Sequence, residues 1–272
     1  MTLPGFLFTF TPTYSSPEDT LVIHPTLHTL KTLSLTLLGY GKMGKAIEQE
    51  ALARGHRIAF CIDVHNAAEW AQVKPENTDV VIEFTHPNSF PDNLDRVMKA
   101  GIPMVTGTTG WHEGMETVRS QVAAQEGALM YSSNYSIGVN LLFKLNQQLA
   151  RWMNDYPEYD CFIEEQHHRH KADAPSGTAI SLARQVIDGL DRKSRIATDA
   201  LLHRAPDADE LSVGYVRSGE IVGRHKVSYT SEIDALTIEH HAYNRRGFAV
   251  GAVVAAEWLA GKKGLFEFID IF

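Results

Sequence analysis

A glycine-rich turn between an apolar run and an amphipathic segment constrains the fold of this chain more than any other feature. Residues 33–38, Leu-Ser-Leu-Thr-Leu-Leu, form a short apolar run, which predicts a strand buried in a parallel sheet. Residues 42–53 have the apolar spacing of a helix. The turn that joins them reads Gly39-Tyr40-Gly41-Lys42-Met43-Gly44 and has the G-x-G-x-x-G pattern. Strand, glycine turn and helix in this order predict a βαβ unit that binds a dinucleotide.

Each glycine of the turn has a distinct task in such a unit. Gly39 permits the tight turn, Gly41 lets the backbone approach a pyrophosphate, and Gly44 lets the helix pack closely on the strand. Asp63 follows the next apolar run, 19 residues after Gly44, near the usual offset for an acid that binds ribose hydroxyls. Asp63 would repel a 2′-phosphate and Val64 offers it no charge, so the sequence modestly favours NADH over NADPH. NADPH stays the alternative, because Lys42 and His65 are close enough in sequence to compensate.

Further βα units follow along the first half of the chain. Strands are predicted over residues 79–84, 102–106 and 128–132, and helices over residues 93–100 and 115–126. Ligands of open parallel sheets bind beyond the carboxyl ends of the strands, so the loops there should outline a cofactor groove. The predicted cofactor contacts are Gly39, Tyr40, Gly41, Lys42, Met43, Gly44, Asp63, Phe84, Thr85, Gly107, Thr108, Thr109, Ser132, Ser133, Asn134 and Tyr135.

The second half of the chain predicts a different sheet. Its helices are expected over residues 138–152 and 178–190, and its strands over residues 160–164, 211–216, 221–229 and 235–240. A last apolar helix, residues 248–260, should pack back on the first sheet. The expected fold is therefore α/β, with a Rossmann-type doubly wound parallel sheet and an α+β domain with a mixed sheet. The predicted boundaries are 1–31 for an extension without an assigned role, 32–134 with the return of 241–272 for the dinucleotide-binding domain, and 135–240 for a substrate-binding and oligomerisation domain.

A histidine cluster precedes the second of those helices. The run His167-His168-Arg169-His170-Lys171 concentrates groups that exchange protons near neutral pH or bind metals. The turn Pro175-Ser176-Gly177-Thr178 follows, where Ser176 is a plausible N-cap and free N–H groups suit an anion. Proton donors beside an anion cradle indicate an active site for a small acidic substrate, and a solvated charged face is the alternative.

A zinc site is a second alternative for the cluster. His167 and His170 could share one helical face. However, the two cysteines of the chain form no C-x-x-C pair, and Lys171 would place a cation beside the metal. We therefore predict no metal ligands.

Composition restricts the class of protein further. The net charge of −8 without a long basic run argues against a nucleic-acid surface, and no apolar stretch approaches the roughly 20 residues that cross a bilayer. Two cysteines fit a reducing compartment, and the first residues lack the basic start and cleavage site of a signal peptide. We expect a cytoplasmic protein that contacts neither membrane nor nucleic acid.

Several motifs together resemble one enzyme family, 4-hydroxy-tetrahydrodipicolinate reductase, historically called dihydrodipicolinate reductase, of lysine and diaminopimelate biosynthesis. The resemblance covers residues 33–272, and the most specific part is the histidine run with the Asp-Ala-Pro-Ser-Gly-Thr-Ala that ends at Ala179. The other motifs that carry it are Gly39-Tyr-Gly-Lys-Met-Gly44, Glu83-Phe-Thr85, Gly107-Thr-Thr-Gly110, Ser133-Asn134-Tyr135-Ser-Ile-Gly-Val-Asn140, Val216-Arg-Ser-Gly-Glu-Ile-Val-Gly223 and Gly264-Leu-Phe266.

The resemblance implies NAD(P)H-dependent reduction of a cyclic, unsaturated dicarboxylate. Hydride would reach a ring carbon and leave an electron-rich enamine that must take a proton. By resemblance His167 is the acid/base residue, Lys171 a second proton-donating or charge-neutralising residue, and His168 a substrate contact. Gly177 and Thr178 would bind a substrate carboxylate through their N–H groups, and we add Ser176 beside them to the substrate-binding set. The resemblance also implies a homotetramer formed through the second sheet.

Two other function classes compete with a reductase. A sensor that binds NAD(H) without turnover would need the glycine turn but not the proton donors at His167 and Lys171. A hydrolase using Ser176 would need a G-x-S-x-G elbow, which the sequence around this serine lacks.

Overall fold

Two sheets organise the residues that this computed structural model describes, 31–198 and 204–272. The predicted extension lies outside them except for Lys31. The described helices are α1 (Lys42–Ala53), α2 (Phe90–Lys99), α3 (Met115–Ala124), α4 (Ile137–Met153), α5 (Gly177–Gly189) and α6 (Arg246–Leu259). The strands are β1 (Ser34–Leu38), β2 (Arg57–Ile62), β3 (Val80–Glu83), β4 (Met104–Thr106), β5 (Ala128–Tyr131), β6 (Asp160–His167), β7 (Arg195–Ala197), β8 (Glu210–Arg217), β9 (Gly223–Thr230), β10 (Ala235–Ala242) and β11 (Gly264–Glu267).

The first sheet is parallel and doubly wound. Its strand order is β11-β5-β4-β3-β1-β2, and every neighbouring pair is parallel. Its strands read as apolar runs because helices cover both faces: α1 and α6 share one buried cluster, whereas α2 and α3 share another. The Rossmann-type architecture expected from the glycine turn is confirmed.

Residues 246–267 return from the second sheet to complete the first. Ala252 and Val253 of α6 are fully buried in the cluster that also contains Leu35 of β1. β11 then pairs in parallel with β5 as the outer strand. Helix α6 agrees with the prediction, whereas β11 was not predicted, because four residues after a glycine turn show too little periodicity to distinguish a strand from a loop.

The second sheet is mixed and has the strand order β10-β9-β6-β8-β7. β9 is antiparallel to β6 and β10, whereas β8 is parallel to β6 and β7. One face packs on α4 and α5 around a core that includes Leu142, Leu182 and Val227. The short strand β7 was not predicted, and β9 begins at Gly223 rather than at residue 221.

Strand β6 positions the functional residues of this sheet. It continues to His167, three residues beyond its predicted end at residue 164. Its side chains alternate strictly, so that Cys161, Ile163, Glu165 and His167 are buried on the face that meets the helices. His167 and His170 do not share a helical face, which the zinc alternative would have used, because His167 closes a strand and His170 lies in an exposed turn.

Candidate active site

A cavity of about 870 Å³ contains most of the residues predicted to bind substrate. The carboxyl-end loops of the first sheet contribute Thr109, Ser133 and Asn134 to its wall. The second sheet and α5 contribute His167, His168, Lys171, Ser176, Gly177 and Thr178. Thr109 and Asp173, which also lines the cavity, are 64 positions apart in the sequence but face the same space. The cavity therefore joins the predicted proton donors to part of the predicted cofactor groove.

His167 is held at the cavity wall by a carboxylate behind it. Its Nδ1 atom lies 2.5 Å from Oε2 of Glu165, and the residue is only 7% exposed. Its Nε2 atom faces Gly223, where a Cβ atom would lie 3.1 Å away. Because Glu165 occupies Nδ1 and glycine leaves room at the other side, Nε2 is the nitrogen available to a ligand.

Lys171 supplies a cation in the turn after β6. Its Nζ atom lies 2.7 Å from Oδ1 of Asp173, and about a quarter of its side chain is exposed. The hydrogen bond from Lys171 holds the pKa of Asp173 below its ordinary value. His168 and Lys171 line the cavity, whereas His170 is exposed and does not. Only part of the histidine cluster therefore belongs to the site.

The N-terminus of α5 forms the predicted anion cradle. Ser176 is its N-cap, with Oγ accepting a hydrogen bond from the N–H of Ala179, as predicted. The N–H of Ser176 donates to Glu165, and Oγ also lies 3.2 Å from Nε2 of His225. Since both polar groups of Ser176 are used within the protein, this residue positions the helix, while Gly177 and Thr178 face the cavity.

Sequence reasoning missed the charged residues behind the cavity wall. Glu165 is fully buried and also accepts a hydrogen bond of 2.7 Å from Arg217. Burial favours its neutral acid, but hydrogen bonds from His167, Arg217 and Ser176 outweigh this and lower the pKa of Glu165 to about 2. Strand alternation would have placed Glu165 beside His167, but no sequence signal pairs it with Arg217.

His225 on β9 is the second missed residue. Burial and the nearby His167 lower its pKa to about 4, so the ring is neutral at physiological pH. Ligand atoms of Glu165, His167 and His225 lie within 4.8 Å of one another, which is close enough to suit a metal ion. However, the guanidinium of Arg217 already bonds the carboxylate and would repel a cation, so the group is better described as a hydrogen-bonded network.

The glycine turn has the geometry of a phosphate-binding loop. Gly39 has a φ of +96°, and a Cβ atom there would lie 2.1 Å from the carbonyl oxygen of Phe84. A Cβ atom at Gly44 would lie 2.4 Å from the carbonyl oxygen of Gly39, whereas Gly41 faces open space. No side chain caps the N-terminus of α1, which leaves its N–H groups for an anion.

The other residues of the turn differ in exposure. Lys42 is exposed beside the turn, and Met43 packs against the buried cluster under α1. The hydroxyl of Tyr40 donates to Glu48. Of these three side chains, only that of Lys42 carries a charge. Because it is exposed, its ammonium group can approach a phosphate bound at the turn.

A second cavity, of about 310 Å³, opens beside the turn at the end of β2. Gly39, Asp63 and Thr85 line it, together with His86 and Arg96, which the sequence analysis did not include. Asp63 accepts a hydrogen bond of 2.7 Å from the N–H of His65, which fixes its carboxylate at the cavity wall. Val64 is 87% exposed and lines the same cavity.

Buried polar groups shape the remaining groove loops from behind. Glu83 accepts hydrogen bonds from the hydroxyls of Thr85, Thr106 and Thr108. The predicted cofactor residues Thr85 and Thr108 therefore use their hydroxyls within the protein, and their N–H groups also donate to threonine hydroxyls there. A Cβ atom at Gly107 would lie 2.0 Å from the ring of Phe84, so that ring and loop can pack only with glycine there.

Tyr135 and Ser132 also act from within the protein. Tyr135 is 2% exposed, and its hydroxyl donates to the carbonyl oxygens of Thr106 and Met130. The Ser132 hydroxyl bonds the backbone of Asn134. Their side chains fix the loop whose Ser133 and Asn134 face the large cavity.

In residues 31–198 and 204–272 no helix has both the length and the apolar character to cross a membrane.

Comparison with known proteins identifies relatives along nearly the whole described chain. The model of the family described as "Dihydrodipicolinate reductase, N-terminus" matches residues 33–135, and that described as "Dihydrodipicolinate reductase, C-terminus" matches residues 138–272. The chain is 39% identical over 239 residues to a 4-hydroxy-tetrahydrodipicolinate reductase of Christiangramia forsetii, covering 88% of this chain and 97% of that protein. It is 40% identical over 198 residues to the protein of the same name from Gluconacetobacter diazotrophicus, covering 71% of this chain and 76% of that one.

Solved structures share the fold at lower identity. The dipicolinate-bound dihydrodipicolinate reductase from Paenisporosarcina sp. TG-14 superposes with a TM-score of 0.72 at 19% identity, covering 89% of this chain and all of that one. GenD2 from gentamicin A biosynthesis, in complex with NAD, gives a TM-score of 0.51 at 11% identity, covering 86% of this chain and 88% of its own. These likenesses support the two-sheet architecture.

Proposed function

The chain belongs to the dihydrodipicolinate reductase family, and from this premise we propose that it reduces 4-hydroxy-tetrahydrodipicolinate to tetrahydrodipicolinate in lysine and diaminopimelate biosynthesis. The observation that carries the proposal is the large cavity. In this cavity, His167, Lys171 and the N-terminus of α5 face Ser133 and Asn134, in the loop that follows β5 of the first sheet. Proton donors, an anion cradle and the cofactor sheet thus meet in one space, as reduction of an acidic ring requires.

The residues of the first sheet fit a nicotinamide dinucleotide. The uncapped N-terminus of α1 and the open approach at Gly41 suit the pyrophosphate, and Asp63 in the smaller cavity suits the ribose. Loops at residues 84–85, 107–109 and 132–135 would hold the rest of the cofactor. When bound, NADH or NADPH supplies the hydride.

Positive charge and directed N–H groups would bind the substrate. Gly177 and Thr178 at the start of α5 offer N–H groups to one carboxylate, and the Lys171 ammonium and His168 approach the ring from the turn after β6. Dipicolinate, which is bound in the Paenisporosarcina structure, is a cyclic dicarboxylate of this kind. Substrate binding would draw Lys171 from Asp173 towards the stronger negative charge of the ligand.

His167 would deliver the proton that completes the reduction. The 4-hydroxyl would first leave as water together with a neighbouring ring proton, which conjugates the ring with its imine. Hydride addition at ring carbon 4 then leaves an enamine, whose electron pair takes a proton from Nε2 of His167. The buried position of His167 limits competition from bulk water, and Glu165 stabilises the positively charged imidazolium before transfer. Lys171 then stands as the second candidate donor and as the counter-charge to the ring carboxylate.

We propose that NADH is the preferred cofactor because Asp63 lines the small cavity and Val64 beside it carries no charge; NADPH is the alternative, since Arg96 lines the same cavity and could pair with a 2′-phosphate. Asp63→Ala should raise KM for NADH about tenfold, since a hydrogen bond to a charged group is worth roughly 1.5–3 kcal/mol. KM for NADPH should change less, because removing Asp63 also removes a repulsion of the 2′-phosphate. Steady-state kinetics with both cofactors measures this, and an equal change in both KM values would remove Asp63 from the ribose site.

The proposed domain boundaries follow the two sheets. Residues 32–134 with the return of residues 241–272 would form the cofactor domain, and residues 135–240 the substrate domain. We place the reaction in the cytoplasm because Cys61 and Cys161 are both free thiols, which fits a reducing compartment.

A homotetramer is the proposed assembly, formed through the sheet face opposite α4 and α5. That face carries the half-buried Phe162 and Gln166 and the 48% exposed Val216. The Val216→Glu variant should lower the sedimentation coefficient, because four copies of a buried charge would oppose association. The wild-type protein should sediment as a tetramer, and a monomer in both cases would contradict this assembly.

The first experiment on the proposed reaction is a steady-state assay of the purified chain. Substrate is generated in situ from pyruvate and aspartate semialdehyde by the preceding pathway enzyme, and the loss of NADH or NADPH absorbance is followed. Substrate-dependent oxidation is the expected result. Measurable cofactor binding without turnover would instead favour a sensor of NAD(H).

A further inference from the structure

Glu165 is a buried carboxylate with partners on three separate elements. Oε2 lies 2.5 Å from Nδ1 of His167 on the same strand. Oε1 accepts 2.7 Å from Arg217 on β8 and 3.0 Å from the N–H of Ser176, the cap of α5. Arg217 also donates to the carbonyl oxygen of Asp173, 2.6 Å away, in the turn that carries Lys171.

The position of Glu165 relative to the cavity distinguishes it from the residues it contacts. His167 and Ser176 line the cavity, whereas Glu165 lies behind them with no exposed side-chain surface. It therefore cannot touch a bound substrate. Any effect of Glu165 on the reaction must pass through the residues that it holds.

The neighbouring His225 contributes no charge beside His167, so the charge there is set by the Glu165 carboxylate. Its ring is neutral and lies 5.1 Å from the His167 ring in an edge-on arrangement, with Nε2 3.2 Å from the Ser176 hydroxyl. A cationic His225 would oppose a positive charge on His167. Among the described contacts of His167, Glu165 is thus the one that supplies negative charge.

We propose that Glu165 is the positioning residue of this site: it fixes the His167 ring with Nε2 towards the ligand and holds the start of α5, so that proton donor and anion cradle keep one relative geometry. This inference rests on the proposed reduction. A rigid arrangement of this kind lowers the barrier because the proton donor need not be reoriented at each turnover.

The structure offers a matched control for removing such a carboxylate. Glu257 on α6 likewise lies between an arginine and a histidine, with Arg54 at 2.7 Å and His56 at 2.8 Å, and 11% of its side chain is exposed. It lines neither of the two cavities described above. Glu165→Gln and Glu257→Gln therefore remove the same charge from similar surroundings, and only the first lies behind the proton donor.

The test is a double-mutant cycle on kcat. Glu165→Gln should lower kcat by about 10- to 100-fold, the range seen when the partner that orients a functional histidine is lost. In the His167→Ala background the same change should lower kcat less than about threefold, because the residue through which Glu165 acts on proton delivery is absent. Its effect through the start of α5 should appear as a raised KM in both backgrounds. Glu257→Gln should lower Tm but keep kcat within about twofold of the wild type.

Each outcome bears on a different statement. Wild-type protein without turnover would remove the proposed reaction itself. Wild-type turnover with unchanged kcat in Glu165→Gln, or an equal loss of kcat with and without His167, would overturn the positioning role alone. If Glu165→Gln does not fold, Glu165→Asp enters the same cycle, because it keeps the charge but withdraws it from His167, and the same criteria apply.

Discussion

Replacing His167 by alanine is expected to lower kcat by about 10²–10³-fold, since a positioned general acid contributes roughly this much. The imidazole presents Nε2 to the cavity and has Oε2 of Glu165 at 2.5 Å from Nδ1. His225 also lines the cavity, but its Nε2 atom lies 3.9 Å from the same carboxylate oxygen and 3.2 Å from the Ser176 hydroxyl. The dissociation constant for NADH should stay unchanged, because the glycine turn and Asp63 belong to the other sheet. Steady-state kinetics together with fluorescence titration of NADH measures both quantities.

His170→Ala is the matched control for this variant. His170 belongs to the same cluster, but it is exposed and does not line the cavity. Its kcat should remain within about twofold of the wild-type value. Turnover that survives loss of His167 would assign proton delivery to another group, with Lys171 the next candidate.

Replacing Lys171 by alanine is expected to lower kcat/KM by about 10³-fold, through both parameters. Loss of a charge-assisted contact to the substrate carboxylate, worth roughly 1.5–3 kcal/mol, should raise KM at least tenfold. The remaining loss falls on kcat, because the ring is less firmly oriented and a candidate proton donor is gone. The loss in kcat/KM should exceed that of Asp63→Ala.

Arg169→Ala gives the corresponding control. Arg169 is two residues away and exposed, and its guanidinium lies 3.9 Å from Glu220 rather than at the cavity. This variant removes the same charge from the same turn, so its kcat/KM should stay near the wild-type value. Similar kinetics for both variants would mean that Lys171 contributes only to the general surface charge.

The features that sequence predicted best are those carried by local pattern. The turn from Gly39 to Gly44 predicts the strand, the helix and their sheet together, because Gly39 adopts a positive φ and Gly44 packs on the carbonyl of Gly39 within the same turn. The N-cap at Ser176 is local in the same sense. Apolar periodicity likewise predicted the other five helices, with their ends displaced by a few residues.

The residues that sequence missed depend on contacts between distant segments. Glu165 meets Arg217 across 52 positions, and Ser176 meets His225 across 49. No local signal relates these pairs; the register of β6 with β8 and β9 creates them. The same limit explains Tyr135, whose place beyond the carboxyl end of a strand suggested a groove contact but whose hydroxyl bonds the backbone inside the protein.

The return of α6 and β11 to the first sheet has a consequence for synthesis of the protein on the ribosome. The sheet that would hold the cofactor begins at β1, yet its core lacks α6 and its outer strand until more than 200 further residues have been made. Long-range pairing of this kind folds slowly and leaves apolar surface open in the meantime. The emerging chain must therefore keep Leu35, Leu37 and Ile82 from aggregating while the second sheet is still being translated. A premature stop after β10 would leave that surface permanently uncovered.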